Sequence, residues 1–211
     1  MSPARARTSR PEIVAAGRGL LEAGGLDAVT MVAVAERVGV RAPSLYKWLP
    51  DRAALIAAIG AAAFDDLGAR LGPHGRGQDP AATIRAIATT FRAFAHANPR
   101  TYELLFMNLP AGSRPPVQHA AEAAAPLVTM TERLVGPDRA LEAARLVTAF
   151  AHGFVSMELN GAFRLGGDVD AAYEHGIEVL TDALATRPTD RREGAAGSTG
   201  RGPRRPATPS G

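Results

Sequence analysis

Cysteine is absent from the 211 residues. Disulfides, thiolate catalysis and cysteine-based metal sites are thereby excluded, and a reducing cytoplasm suits the chain. Lysine is nearly absent: Lys47 stands alone, and every other basic side chain apart from histidine is arginine. Aromatic residues make up 5%, and the one tryptophan is Trp48. No run of eighteen apolar residues occurs, so neither a membrane span nor a membrane partner is expected. The basic start MSPARARTSR is not followed by an apolar segment and does not read as a signal peptide. His74, His96, His119, His152 and His175 show no metal-binding spacing, and Gly72 to Gly77 lacks the Lys-Ser/Thr of a phosphate loop. No catalytic function, metal or resident cofactor is therefore expected.

What is present is helical. No stretch alternates apolar and polar residues as a strand would, so the expected class is all-α. Apolar residues make up 46%, ordinary for a globular chain. The abundance of Ala, Gly, Pro and Arg reads as a bias of base composition. Single arginines therefore carry little weight, and Lys47 stands out as an unforced choice. Charge is unevenly spread. Residues 1–52 hold eight basic and five acidic side chains, residues 53–186 ten and fourteen, and residues 187–211 six and two. A basic module ahead of an acidic body fits a nucleic-acid reader joined to something that does not bind nucleic acid.

The reader is legible between Thr30 and Arg52, TMVAVAERVGVRAPSLYKWLPDR. Thr30 suits an N-cap, and Val34, Ala35 and Val38 recur at helical spacing. Gly39 suits a left-handed C-cap that reverses the chain. Pro43 sits where a second helix would begin, Leu45 points inward, Pro50 stops the helix and Asp51 caps the next. Upstream, Ser9 and Glu12 have capping-box spacing, and Ile13, Ala16, Gly17, Leu20 and Leu21 form one apolar stripe closed by Gly24-Gly25. The expectation is a three-helix module containing a helix-turn-helix, the motif that seats its second helix in the DNA major groove.

This order of parts resembles the tetracycline-repressor-like (TetR/AcrR) family of bacterial regulators. The resemblance rests on Gly25-Leu26, Thr30, Val34-Ala35, Gly39-Val40, Leu45-Tyr46 and Leu49-Pro50-Asp51-Arg52. Phe150 to Leu159 (FAHGFVSMEL) is similar to the His-Gly helix of one branch, with Phe150 the aromatic nearest to that branch's tryptophan. The resemblance implies that Thr30, Tyr46 and Arg52 hold phosphates, while Arg41, Ala42, Pro43, Ser44 and Lys47 face base edges. Ala42 offers no hydrogen bond, so direct readout falls on Arg41, Ser44 and Lys47. Trp48 is expected to pack at the end of the recognition helix.

The resemblance divides the chain into a basic arm (1–8), the DNA-binding domain (9–52), a helical effector and dimerisation domain (53–186) and a basic tail (187–211). Helices are expected over about 51–71, 80–97, 100–108, up to 135, 138–165 and 169–186. Arg5, Arg7 and Arg10 belong either to a minor-groove contact or to a solvated arm. The tail, poor in large apolar side chains, is expected to be disordered. Pocket candidates are Phe91, Phe94, Tyr102, Phe106 and Met107 from the first half of the body, and Met130, Phe150, Phe154 and Met157 from the second. His152 and Glu158 are candidates for its polar groups. The implied partners are a near-palindromic duplex, a small apolar or aromatic effector and a second copy, with Ala144, Ala149 and Gly153 permitting close approach. The expected function is a homodimeric repressor released by its effector. Two alternatives use the same residues: a nonspecific architectural DNA binder, and a dimeric ligand-binding protein without DNA binding.

Overall fold

The computed structural model describes residues 8–186. The residues of the arm before Thr8 and the tail from Arg187 lie outside the described residues. Eight α-helices and no strand occur among them. They are α1 (Arg10–Gly24), α2 (Met31–Arg37), α3 (Arg52–Leu71), α4 (Pro80–Ala97), α5 (Pro99–Phe106), α6 (Val117–Val135), α7 (Ala140–Leu159) and α8 (Val169–Thr186).

Short-range chemistry sets most of the helix ends. The Ser9–Glu12 capping box closes reciprocally, with Ser9 N donating to Glu12 at 2.8 Å and Glu12 N to Ser9 Oγ at 3.4 Å. Thr30, Asp51 and Asp79 accept from the backbone N–H three residues on, at 3.1, 2.7 and 3.1 Å. Gly39, at φ +72°, follows α2 in a Schellman arrangement. Val40 N donates to Ala35 O at 2.9 Å and Gly39 N to Glu36 O at 3.2 Å.

Two expected boundaries are corrected, and one helix start is capped from elsewhere in the chain. The segment after Gly39 is not an α-helix. Ala42–Ser44 form a 3₁₀ turn, and hydrogen-bonded turns continue to Leu49. The i→i+3 bonds of Ser44, Leu45 and Trp48 prevail, and Leu49 N to Leu45 O at 3.0 Å is the one α-type bond of the segment. α7 stops at Leu159, not near Leu165. Gly161 (φ +65°) lets Ala162 N donate back to Met157 O at 2.9 Å, a second Schellman stop. Asn98 precedes α5 without capping it; its side-chain amide donates to Phe94 O and its oxygen accepts from Arg18.

Two cores form. The N-terminal core gathers Ile13, Leu21, Val29, Val34, Leu45 and Leu49 with Leu55, Ile56 and Ile59 of α3. The body core is built on α4, α6, α7 and α8 around Ile84, Phe94, Met130, Val147, Val155 and Tyr173. α3 serves both, since Leu67 and Leu71 near its end lie in the second core. α5 also faces both: Leu104 belongs to the first core and Tyr102 to the second. No helix of the described residues is long and apolar enough to cross a membrane.

Candidate nucleic-acid interface and effector cavity

The recognition segment stands on Leu45 and Leu49, both buried in the N-terminal core. Anchoring those two side chains turns the rest of the segment outward. Arg41, Pro43, Ser44, Tyr46 and Lys47 are exposed, while Ala42 is half-buried against the core. The Lys47 ammonium lies 5.5 Å from the centre of the Trp48 ring, within cation–π range. Trp48 itself is 40% exposed, so it shields the segment's end only in part. Thr30 is exposed and its oxygen already accepts from Ala33 N, leaving its hydroxyl proton available. Arg52 has a second occupation. Its Nε donates to Val29 O and its Nη2 to Leu26 O, each at 2.7 Å, so it clamps the turn that leads into α2.

Two spaces in the body share one lining residue, Phe106. The first is an apolar cavity of about 240 Å³, bordered by Phe64 and Leu67 of α3, Phe91 of α4, Leu127 of α6 and Val147 of α7. Its width comes from small side chains: Ala88, Ala120, Ala123, Ala124 and Ala151 also line it. The second is a cleft of about 350 Å³ between α5 and α7, bordered by Tyr102, Glu103, Met107, His152, Ser156 and Asn160. Phe106 borders both. Its ring stacks on His152 at 4.1 Å and meets Phe91 and Tyr102 edge-on or tilted at 6.1 and 5.1 Å.

Tyr102 Oη is 2.7 Å from His152 Nδ1. Burial pushes the phenol up and the imidazole down, so both are neutral near pH 7. The hydroxyl has two acceptors, Nδ1 at 2.7 Å and the helix carbonyl of His152 at 3.4 Å. The pair ties α5 to α7 through neutral groups.

Of the expected pocket residues, Phe91, Tyr102, Phe106, Met107 and His152 border these spaces. Phe94, Met130, Phe150, Phe154 and Met157 border neither. Phe94 sits in the core beneath the guanidinium groups of Arg18 and Arg70, and Met130 is fully enclosed. Phe150 and Phe154 form a separate cluster with Tyr173, and Met157 is half-exposed on the outer face of α7. Glu158 is turned away from His152. Arg92 grips it through two hydrogen bonds, of 2.9 and 2.5 Å, and His96 Nε2 lies 3.0 Å away. The Arg92 contacts, and His96 after them, hold its carboxyl below the usual range despite burial. A search for bulky side chains passes over the lining alanines. The signal that finds them is the i, i+3, i+4 spacing of Ala120, Ala123 and Ala124 on one face of α6. Among the described residues, no group of three His, Asp or Glu side chains is placed to hold a metal ion.

Comparison with known proteins agrees with both halves. Residues 13–59 match the family model for bacterial regulatory proteins of the tetR family, and residues 84–180 match that for the tetracyclin repressor-like C-terminal domain. The chain is 29% identical over 187 residues to an uncharacterized HTH-type transcriptional regulator of Mycobacterium tuberculosis, covering 87% of this chain and 85% of that one. Among solved structures, a Rhodococcus protein of unknown function is similar with a TM-score of 0.74 at 21% identity, covering 88% of this chain and 100% of that one. A TetR of Acinetobacter baumannii, in complex with minocycline, is similar at a TM-score of 0.63 and 23% identity, covering 84% and 97%. An exposed reading segment on a buried two-leucine anchor, an all-helical body and the two family matches lead to one assignment: the chain belongs to the tetracycline-repressor family of DNA-binding transcriptional regulators.

Proposed function

We propose that the protein is a cytoplasmic homodimeric repressor that binds a near-palindromic operator and releases it when a small apolar effector enters the body. The observation that carries this reading is the sharing of α3. At about 1.5 Å per residue its twenty residues span roughly 30 Å, from Arg52 beside the recognition segment to Leu67 and Leu71 at the cavity. An effector that repositions the second half of α3 therefore tilts the first half and the readers with it. α5 adds a second route. Glu22 of α1 accepts the backbone N–H of Thr101 at 2.7 Å, while Tyr102 and Phe106 of the same helix face the cavity and cleft.

The dimer supplies the second reader. On α7, Leu141, Arg145, Ala149, Gly153 and Met157 recur every fourth residue and are all exposed. On α8, Ala172, His175, Val179 and Ala183 form a matching exposed row. These rows suit the face of a second copy, which would hold two recognition segments about 34–36 Å apart or at a wider half-site spacing. Ala149 and Gly153 remain candidates for close approach; Ala144 is buried inside its own body and leaves that role.

In this reading Arg41, Ser44 and Lys47 address base edges, with Pro43 and Ala42 shaping the surface, and Thr30 and Tyr46 hold phosphates. Arg52 contributes only the N–H groups that its clamp leaves over. Selection of bound sites from a random duplex library tests the proposal. An enriched inverted repeat is expected, with light scattering giving twice the chain mass; binding without enrichment would replace the repressor with an architectural DNA binder.

A further inference from the structure

We propose that the effector is an elongated molecule with an apolar body and one oxygen-acceptor head, admitted by movement of Phe106 so that it spans the cavity and the cleft together. The proposal rests on the effector reading above and specifies its ligand. The size of the two spaces carries the first half. Pockets that enclose drug-sized ligands hold roughly 300–1,000 Å³. The apolar cavity, about 240 Å³, falls short alone. A cavity of about that order takes a benzene-sized guest. The cleft, about 350 Å³, reaches only the lower edge of that range; the two together have room for an apolar body and a polar head.

Phe106 is the one residue that lines both spaces. As the last residue of α5 it adjoins an irregular segment, and its ring is 39% exposed. Swinging the ring outward gives up its stack on His152 and its edge contacts with Phe91 and Tyr102. An apolar chain threaded through the same place replaces those contacts. Thr148 is the one polar side chain that borders the cavity, so the body of the ligand must be apolar.

The cleft decides the head. With the Tyr102 hydroxyl donating to Nδ1 at 2.7 Å, the ring N–H of His152 lies on Nε2, a nitrogen with no hydrogen-bond partner among the described residues. His152 and Ser156, one helical turn apart on α7, both border the cleft and offer donors to an oxygen. Arg100 and Glu103 stand at the same cleft with opposite charge. A ketone or ester carbonyl and a carboxylate therefore share the recognised chemistry, and the experiment separates them.

Isothermal titration of the full chain with four probes below their micellar concentrations provides the test: 2-decanone, decanoate, decyltrimethylammonium and benzene. The expected result is at least tenfold tighter binding of 2-decanone or decanoate than of the ammonium or benzene. Whichever of the two binds tighter tells whether the head is neutral or charged. His152→Phe keeps a ring for Phe106 to stack on and removes the donor; it should weaken the acceptor-headed probe about tenfold. Tyr102→Phe, a milder change, should weaken it several-fold by freeing the proton from Nε2. Phe106→Ala should speed association of the ten-carbon probes several-fold. Benzene binding as tightly as the ten-carbon probes, tight binding of the ammonium, equal affinity in both His152→Phe and Tyr102→Phe, or no binding of any probe would overturn the proposal. Operator binding measured in parallel keeps the two readings apart. A selected operator with no probe binding would remove the ligand assignment and leave the regulator. Probe binding without operator release would leave the ligand assignment and remove the switch.

Discussion

Arg52 is the residue on which the family resemblance and the geometry make different demands. The resemblance gives it a phosphate; the structure gives it two carbonyls. Replacing it with alanine removes the hydrogen bonds to Val29 O and Leu26 O, both 2.7 Å with a charged donor. A hydrogen bond with a charged partner contributes about 1.5–3 kcal/mol when shielded. One of these is half-buried and the other exposed, which reduces the pair to about 2 kcal/mol. The carbonyls belong to the 3₁₀ turn Leu26–Ala28 and to Val29, immediately before the Thr30 cap. The loss should therefore fall on α2 and the recognition segment. In urea unfolding Arg52→Ala should lower stability by about 2 kcal/mol, and hydrogen exchange should quicken in α2 before it does so in α7. Arg52→Lys keeps the charge without the planar fork and should recover less than half of the loss. A phosphate role makes a different forecast: unchanged stability, and a salt dependence of operator binding shallower by about 0.9 for each phosphate given up. Unchanged urea midpoints with a shallower salt slope would refute the clamp.

Three further outcomes follow from single contacts. Lys47→Ala should weaken operator binding and relax base preference at one position per half-site, read by competition among base variants; uniform loss across variants would reduce Lys47 to a phosphate contact. Gly176→Ala would place a methyl carbon 2.2 Å from Phe150 Cζ, so the ring must shift against Tyr173. Overpacking of this kind costs about 1–3 kcal/mol and alanine's helix propensity returns up to about 1, so thermal unfolding should fall by a few degrees. Glu158 titrates lower in the folded chain than in the unfolded one because Arg92 holds it. Its contribution is complete above the ordinary carboxylate range and is lost as pH falls through the folded value. Glu158→Gln should therefore destabilise at neutral pH and lessen the further loss between about pH 5 and 3; parallel acid limbs for the two proteins would contradict this.

The parts of the fold legible in the sequence are those decided within three or four residues. Ser9 with Glu12, Thr30, Gly39 and Asp51 act on backbone groups that are neighbours whatever the tertiary structure does. The same rule, applied incompletely, explains the overrun of α7: Asn160-Gly161 carries the stop signal, and the apolar Phe163 and Leu165 beyond it suggest continuation. Those two side chains are exposed, so they pattern like a helix without packing as one. The recognition segment differs in the other direction. Leu45 sets its inward and outward faces, but a face does not distinguish α from 3₁₀ winding over so few residues. The cavity was the least legible. Bulky side chains show where matter is, and a cavity lies where it is missing. Phe94 and Met130, large and apolar, fill the core, and the alanines of α6 leave the space.

Asn98 and Glu22 show a different limit. A helix start marked Asn-Pro reads as self-capped, yet Asn98 is spent on Arg18 and on Phe94 O, and the first amides of α5 turn to Glu22 instead. The cap that the sequence places within the body is thus supplied from α1, seventy-nine residues earlier at the closer contact. A boundary at Arg52 separates the charges well, but packing runs through it: Leu55 and Ile59 belong to the N-terminal core, and so does Leu104 from the body. Reader and body are joined by two shared helices, not by a linker. Effector control commonly requires about 1–3 kcal/mol of coupling between sites. A single helix end held by a partner's carboxylate is of that size. A ligand that moves Phe106 acts on the far end of the same eight-residue helix, so the required coupling lies within reach of one rigid element and needs no rearrangement of either core.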